Sequence, residues 1–118
     1  MPQPSHLHAE RRGTAWVLRI DVDRIVDDAT TDGLRTELAL FIAQADPPNV
    51  AVDLGAVRMV SSAGLAFFQH LHRAVSARHG HVAVCRLEPN LRDLFRMVGL
   101  DLVFPIFEDS EAAVAAFG

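Results

Sequence analysis

The segment NVAVDLGAVRMVSSAGLAFFQHLHRAVSAR, residues 49–78, has the clearest local pattern in the chain. Val50–Leu54 is a short apolar run rich in β-branched residues, which predicts a buried strand. Gly55 marks a turn, and Val57 and Val60 are spaced to bring a crossing loop back under a sheet. The first half of the segment therefore predicts a strand followed by a loop.

A helix is predicted in the second half of the segment. Its apolar face consists of residues at helical spacing: Leu65, Phe68, Leu71, His72 and Val75. Ser61 and Ser62 precede this face, and their hydroxyl oxygens are natural caps for the free N–H groups of a helix start. We expect a functional site where this helix begins.

The same segment resembles the signature of the STAS family, the anti-sigma factor antagonists. That signature is Asp-Leu, two residues, Val, two residues, an apolar residue and then Asp-Ser-Ser/Thr-Gly-Leu. Its counterparts here are Asp53-Leu54, Val57 and the run from Val60 to Leu65. The likeness in order and spacing of elements extends from about Trp16 to Phe117. It implies an α/β domain that binds a regulatory partner.

Two positions depart from the family pattern. Ser61 stands where the signature has Asp, and Ala63 stands where the family usually carries its phosphorylated hydroxyl. The resemblance therefore implies an altered or absent phospho-switch. Phosphorylation of Ser62 or Ser61 stays open beside the simpler interpretation of both as helix caps.

Length and composition limit the other classes of function. A chain of 118 residues predicts one domain, and 22% charged residues is ordinary for a globular protein. The net charge of −4 disfavours nucleic-acid binding, which needs clustered positive charge. No apolar run approaches the ~18 residues of a membrane span, and the first residues lack the pattern of a signal peptide. The single cysteine, Cys85, excludes an internal disulfide, so we expect a cytoplasmic protein.

The first part of the chain predicts a tail and then strands. Residues 1–12 are polar and unpatterned, so we expect a flexible tail, with the STAS-like domain spanning 13–118. Alternation over Trp16–Val22 predicts a strand with one wet face, placed at a sheet edge. Asp23–Val26 is a candidate for a second short strand.

Helices and strands alternate from residue 28 onward. Asp27, Asp28 or Thr30 can cap a first helix, which Pro47 and Pro48 end. The remaining predicted elements are a strand at Val82–Leu87, a helix capped by Asn90 and ended by Gly99, a last strand at Val103–Phe107, and a terminal helix starting at Glu108-Asp109-Ser110. The fold class is α/β, a single STAS-like domain with a mixed, mostly parallel sheet of four to five strands and about four helices.

No sequence motif indicates catalysis or a bound cofactor. The chain has no G-x-S-x-G elbow, P-loop or dinucleotide fingerprint. His70 and His72 diverge on a helix, and His79 and His81 lack further ligands to complete a metal site. Cys85 falls in a predicted buried strand, which favours an inert thiol. We predict no enzyme, no cofactor and no metal.

The resemblance implies a partner and a contact surface. The partner is an anti-sigma factor of the serine-kinase type, with no direct nucleic acid and no membrane insertion, and a homodimer stays open. The expected contact residues are Asp27, Asp28, Thr30, Ser61, Ser62, Ala63, Gly64 and Leu65. The family usually keeps an Asp where Val26 stands here, and the alternative for the acidic residues 21–28 is capping and a solvated loop. The rival function is a non-catalytic scaffold, or an accessory subunit of a signalling assembly or lipid ABC transporter.

Overall fold

The computed structural model describes residues 6–46 and 48–117, and from residue 28 onward strands separate the helices as expected. The strands are β1 (Leu7–Arg12), β2 (Ala15–Ile20), β3 (Arg24–Ile25), β4 (Asn49–Asp53), β5 (Met59–Val60), β6 (His81–Cys85) and β7 (Ile106–Phe107). The helices are α1 (Asp28–Gln44), α2 (Ser62–Ser76), α3 (Pro89–Val98) and α4 (Ser110–Ala115), with a 3-10 turn at Leu100–Leu102.

Five strands form the main sheet, in the order β1-β2-β4-β6-β7. β1 and β2 are antiparallel, and the other neighbours are parallel. β3 and β5 form a separate two-stranded parallel pair. The prediction of a mixed, mostly parallel sheet with four helices is therefore confirmed.

The sheet is covered on both faces because side chains alternate along each strand. Val50, Val52 and Val84 face the larger core, which they share with α1, α2 and α3. Ala51, Ala83 and Cys85 face α4, where the side chains are small and the helix lies close. The first helix buries one face, on which Leu34, Leu38 and Ile42 repeat every four residues.

The predicted tail over residues 1–12 is wrong for residues 7–12, which form β1. Residues 1–5 lie outside the described part of the chain. β1 pairs antiparallel with β2, from Leu7 opposite Ile20 to Arg12 opposite Ala15. Only Leu7 of this strand is buried, so no alternation of apolar residues reveals it in the sequence. As a result β2, predicted at the sheet edge, lies inside the sheet between β1 and β4.

Two further expectations near the C-terminal half need correction. The last strand, predicted over Val103–Phe107, comprises only Ile106 and Phe107, because the chain folds back on itself after Gly99. There the Phe104 N–H donates to the Leu100 carbonyl over 2.8 Å. Asn90 does not cap α3: Glu88 is the N-cap residue, and the Asn90 amide donates to its carboxylate. Gly99 ends α3 with a φ of 82°, as expected of a left-handed C-terminal glycine.

Candidate functional site

The short β3–β5 pair brings two helix starts together. Arg24 lies opposite Met59, and Ile25 lies opposite Val60. α1 begins soon after β3, and α2 begins soon after β5. Because β3 and β5 are parallel, both helices begin at the same end of the pair. The Asp27–Thr31 segment and the Ser61–Leu65 turn are therefore neighbours, although 30 residues separate Thr31 from Ser61 in the sequence.

Ser61 anchors its turn to β3 instead of capping α2. Its N–H donates to the Ile25 carbonyl over 3.0 Å, and its hydroxyl donates to the same oxygen over 3.3 Å. No side chain in the described part of the chain caps the start of α2. The predicted capping role of the two serines is therefore wrong. The positive end of the α2 dipole and its first N–H groups are left without a side-chain acceptor.

Gly64 lets α2 lie directly against β3. A Cβ atom at this position would be 2.5 Å from the Ile25 carbonyl oxygen and 2.6 Å from Val60 Cγ1. Neither neighbour is the free end of a flexible chain, so any side chain would push the helix away. Gly64 is buried and shapes the turn through this close approach.

The residues around Gly64 differ in their exposure. Ser62 is exposed, whereas Ala63 and Leu65 are half-buried. Successive helical side chains point about 100° apart, so Ser62 and Ala63 face different directions. The turn thus presents one exposed hydroxyl, from Ser62, beside the half-buried methyl group of Ala63.

Asp27 is occupied as the cap of α1. Its carboxylate accepts from the Thr30 N–H over 2.7 Å, and its carbonyl accepts from the Thr31 hydroxyl over 2.8 Å. The hydrogen bond from the Thr30 backbone lowers the pKa of the Asp27 carboxyl below its ordinary value of 3.8. The capping interpretation is confirmed for Asp27. Asp28 is exposed in the first turn of α1, and Thr30 is half-buried.

The profile of the STAS domain family matches residues 6–113. The chain belongs to the STAS domain family. BtrV of Bordetella bronchiseptica, an anti-sigma factor antagonist by name, is 32% identical over 93 residues, which is 79% of each protein. An anti-sigma F factor antagonist of Paenibacillus polymyxa is 23% identical over 109 residues, or 92% of this chain and 93% of the relative.

A solved structure shows the same fold. The crystal structure of an anti-sigma factor antagonist from Mycobacterium paratuberculosis superposes with a TM-score of 0.78 at 23% identity. The match covers 93% of this chain and 91% of that one.

In this STAS domain the Asp of the Asp-Leu pair is a buried structural group. The Asp53 carboxylate accepts from the Gly55 N–H over 2.9 Å and from the Arg86 guanidinium over 3.2 Å. Arg86 has a left-handed backbone, with a φ of 58°. The sequence pattern predicts Asp53 near a strand end and does not identify Arg86 as its partner. The sequence does contain a signal for such a partner, because a carboxylate that is buried within an apolar strand needs a hydrogen-bond donor.

The other chemical candidates do not join the turn. Within residues 6–46 and 48–117, no three His, Cys, Asp or Glu side chains converge closely enough to hold a metal ion. Cys85 is buried, and burial raises the pKa of its thiol to about 12. None of the described helices is both long and apolar enough to cross a bilayer.

Proposed function

We propose that this STAS domain is an anti-sigma factor antagonist that binds an anti-sigma factor of the serine-kinase type. Sequestering that factor would free a sigma factor and raise transcription indirectly. Membership of the family and the names of the relatives support the general role. The β3–β5 pairing supports a particular contact surface for this partner, because it sets the Ser61–Leu65 turn beside the start of α1.

The proposed contact surface consists of the turn, the Asp27–Thr31 segment and the exposed side of α2. Its exposed members include Asp27, Asp28 and Ser62, and the exposed Gln69 and Arg73 continue it along α2. Gly64 contributes by allowing α2 to pack directly against β3. The uncapped start of α2 would favour a negatively charged partner group there, because the helix dipole is positive at this end.

We further propose that the phospho-switch is weakened or lost. In the family pattern a hydroxyl before the Gly accepts phosphate and thereby adds about two negative charges that expel the partner. Ala63 has no oxygen to accept phosphate, and the Ser62 hydroxyl points elsewhere. Partner binding should therefore persist when the kinase and ATP are present.

The test compares phosphorylation and binding in three variants. The partner is the anti-sigma factor recovered by pull-down from the native cell, incubated with the domain and ATP. We expect no stoichiometric phosphate on wild-type Ser62 or Ser61 by peptide mass spectrometry. Ala63→Ser should accept more phosphate, and Ala63→Asp should weaken binding by placing charge at the contact surface. Ala77→Asp is the matched control, because Ala77 is exposed beyond the other end of α2.

Stoichiometric phosphate on wild-type Ser62, with loss of binding, would show that the switch has moved by one residue. Equal weakening by Ala63→Asp and Ala77→Asp would place the contact surface elsewhere. The missing hydroxyl at Ala63 also suits the rival role of scaffold or transporter subunit, which needs no phosphate. A pull-down that recovers a transporter ATPase and permease, and no anti-sigma factor, would favour that role. In either role we propose a cytoplasmic protein without catalytic turnover.

A further inference from the structure

A cavity of about 500 Å³ lies at one edge of the main sheet, at the end of α2 that is remote from the Ser61–Leu65 turn. Its walls include His72 and Ser76 of α2, His81 and Val82 of β6, Phe107 of β7, and Phe117 just beyond α4. α2 has 15 residues. At ~1.5 Å per residue, roughly 20 Å separates the two ends of the helix. The cavity is therefore distinct from the proposed contact surface.

The cavity exists because β7 is too short to cover the edge of β6. β7 pairs with Val84 and Cys85 only, so in the described part of the chain the first half of β6 has no strand on that side. α2 lies over one face of this gap, and Phe117 packs on the other face beside Ala83. The result is a slot between two layers of the protein, and Val103 and Pro105, which precede β7, also line it.

Backbone groups of Val82 face this slot. The Val84 N–H donates to the Pro105 carbonyl over 2.9 Å, so Val84 presents its backbone groups toward β7. The Cys85 carbonyl accepts from the Leu54 N–H over 3.0 Å, so Cys85 presents its groups toward β4. Since this direction alternates along a strand, the N–H and C=O of Val82 point into the gap beside β7.

The lining combines apolar and aromatic residues with four polar side chains, those of Asn49, His72, Ser76 and His81. Among the described residues that line the cavity there is no Arg, Asp or Glu. Phe107 and Phe117 provide aromatic side chains, and His72 and Ser76 provide hydrogen-bonding groups. Asn49 also lines the cavity, and its Oδ1 is a buried oxygen without a hydrogen-bond partner in the described structure. Buried acceptors of this kind are normally paired with a protein or water donor.

We propose that this cavity binds a small, planar, uncharged ring compound that carries an N–H donor next to a carbonyl acceptor, as a lactam does. The two ligand groups pair with the C=O and N–H of Val82, and the ring lies between the aromatic side chains. The volume is within the range of roughly 300–1,000 Å³ typical of small-molecule sites. A peptide strand fits less well, because strand addition depends on a row of main-chain hydrogen bonds and Val82 is a single residue.

The test is a titration of the isotope-labelled protein with isoquinolin-1(2H)-one, followed by amide chemical shifts. We expect saturable shifts at Val82, Ala83, His72 and Phe117, with no comparable shifts in the Ser61–Leu65 turn. Two matched compounds separate the features of the proposal. The N-methyl derivative lacks only the donor, and 1-naphthoate lacks the donor and also carries a negative charge, so comparison of these two compounds isolates the effect of charge. Both should bind at least tenfold more weakly.

Two protein variants locate the site. Ser76→Phe adds a ring at the wall of the slot, and Ala77→Phe adds the same ring at an exposed neighbour that does not line it. Both positions are exposed, so both variants should fold, which amide spectra would verify. We expect Ser76→Phe to abolish the shifts and Ala77→Phe to retain them. Equal affinity for the N-methyl compound, shifts outside the cavity, or no saturable binding would each overturn the proposal.

Discussion

Gly33 of α1 and Gly64 of α2 are both glycines within helices, but the space around their Cα atoms differs. Apart from its own turn of helix, nothing in the described structure lies within 4 Å of a Cβ placed on Gly33, whereas a Cβ on Gly64 would overlap the Ile25 carbonyl oxygen at 2.5 Å. Gly33 thus has the entropic cost of glycine in a helix without any packing need. Gly64 is required by the close approach that forms the site.

We expect Gly64→Ala to lower the free energy of unfolding by about 1–3 kcal/mol, as overpacking does. Gly33→Ala is the matched control and should raise it by about 0.5–1 kcal/mol, because alanine is the better helix former. Urea titration measures both effects. Similar shifts in the same direction would mean that α2 does not press on β3 as described.

Cys85 illustrates how burial, more than any neighbouring charge, sets the reactivity of a thiol. Desolvation, and next the negative charge of Asp53, raise the pKa of the Cys85 thiol to about 12 from an ordinary 9.0. The thiolate is the reactive form, so native protein at pH 8 should react with Ellman's reagent only as it unfolds. In denaturing guanidinium the same thiol should react fully and quickly. Because the folded pKa is raised, stability should fall as the pH rises above 9.0 toward 12. Fast stoichiometric labelling of the native protein would contradict this.

At the scale of elements, the two helices of the site begin in different ways. α1 starts with a carboxylate cap from Asp27, whereas α2 starts with Ser61 turned toward β3 and no side-chain cap. The difference follows from the hydrogen-bond partners that are available at the start of each helix. Asp27 is exposed and free to fold back on its own helix, while the Ser61 hydroxyl is drawn to the Ile25 carbonyl across the parallel pair. The start of α1 is thereby capped by a residue next to it in the sequence, whereas the start of α2 is positioned by a contact with the distant strand β3.

The cap of α1 should appear in the pH dependence of stability. The pKa of Asp27 is lowered in the folded state, so its contribution is present above the ordinary value of 3.8 and is lost as the pH falls below it. Asp27→Ala should therefore lower the melting temperature at pH 7 and have less effect near pH 2. Asp27→Asn keeps an acceptor oxygen, so it should lower the melting temperature less than Asp27→Ala does. Its effect should not show this pH dependence, because the amide does not titrate. Asp28→Ala is the control and should have the smaller effect at pH 7; an equal effect would refute the cap.

For the whole molecule, one aromatic cluster connects α2 to α3. Phe68 makes edge-to-face contacts with Phe67 and with Phe95, whose ring centre is 5.3 Å away. Phe104, after the 3-10 turn, contacts Phe95 and also His72. All four phenylalanines are fully buried. Phe68 was expected from helical spacing, and Phe67 was not, because α2 is enclosed on a wider arc than the spacing indicated.

Removal of this central ring should be costly. We expect Phe68→Ala to lower the free energy of unfolding by about 3–5 kcal/mol, out of a typical total of about 5–15 kcal/mol. Leu40→Ala is the control, because Leu40 is 64% exposed, and should change it by less than about 0.5 kcal/mol. A loss below about 1 kcal/mol for Phe68→Ala, measured in denaturant, would mean that the cluster is not the core.

The sequence by itself determined the elements whose residues are buried in a regular period. Leu34, Leu38 and Ile42 repeat on one side of α1, and the apolar runs of β4 and β6 are enclosed on both faces. Such patterns are local, because the solvent-avoiding face of a helix or strand recurs along the chain itself. The family signature, with its missing hydroxyl at Ala63, is local in the same sense.

Only the tertiary structure decided which segments meet. β1 has one buried residue, so its place in the sheet depends on the register with β2. The direction of the Ser61 hydroxyl depends on Ile25, which is 36 positions away. The cavity beside Val82 depends on where β7 stops. A hydrogen bond between distant segments leaves no period in the sequence, because its two groups are present at almost every residue and only the fold selects which of them pair.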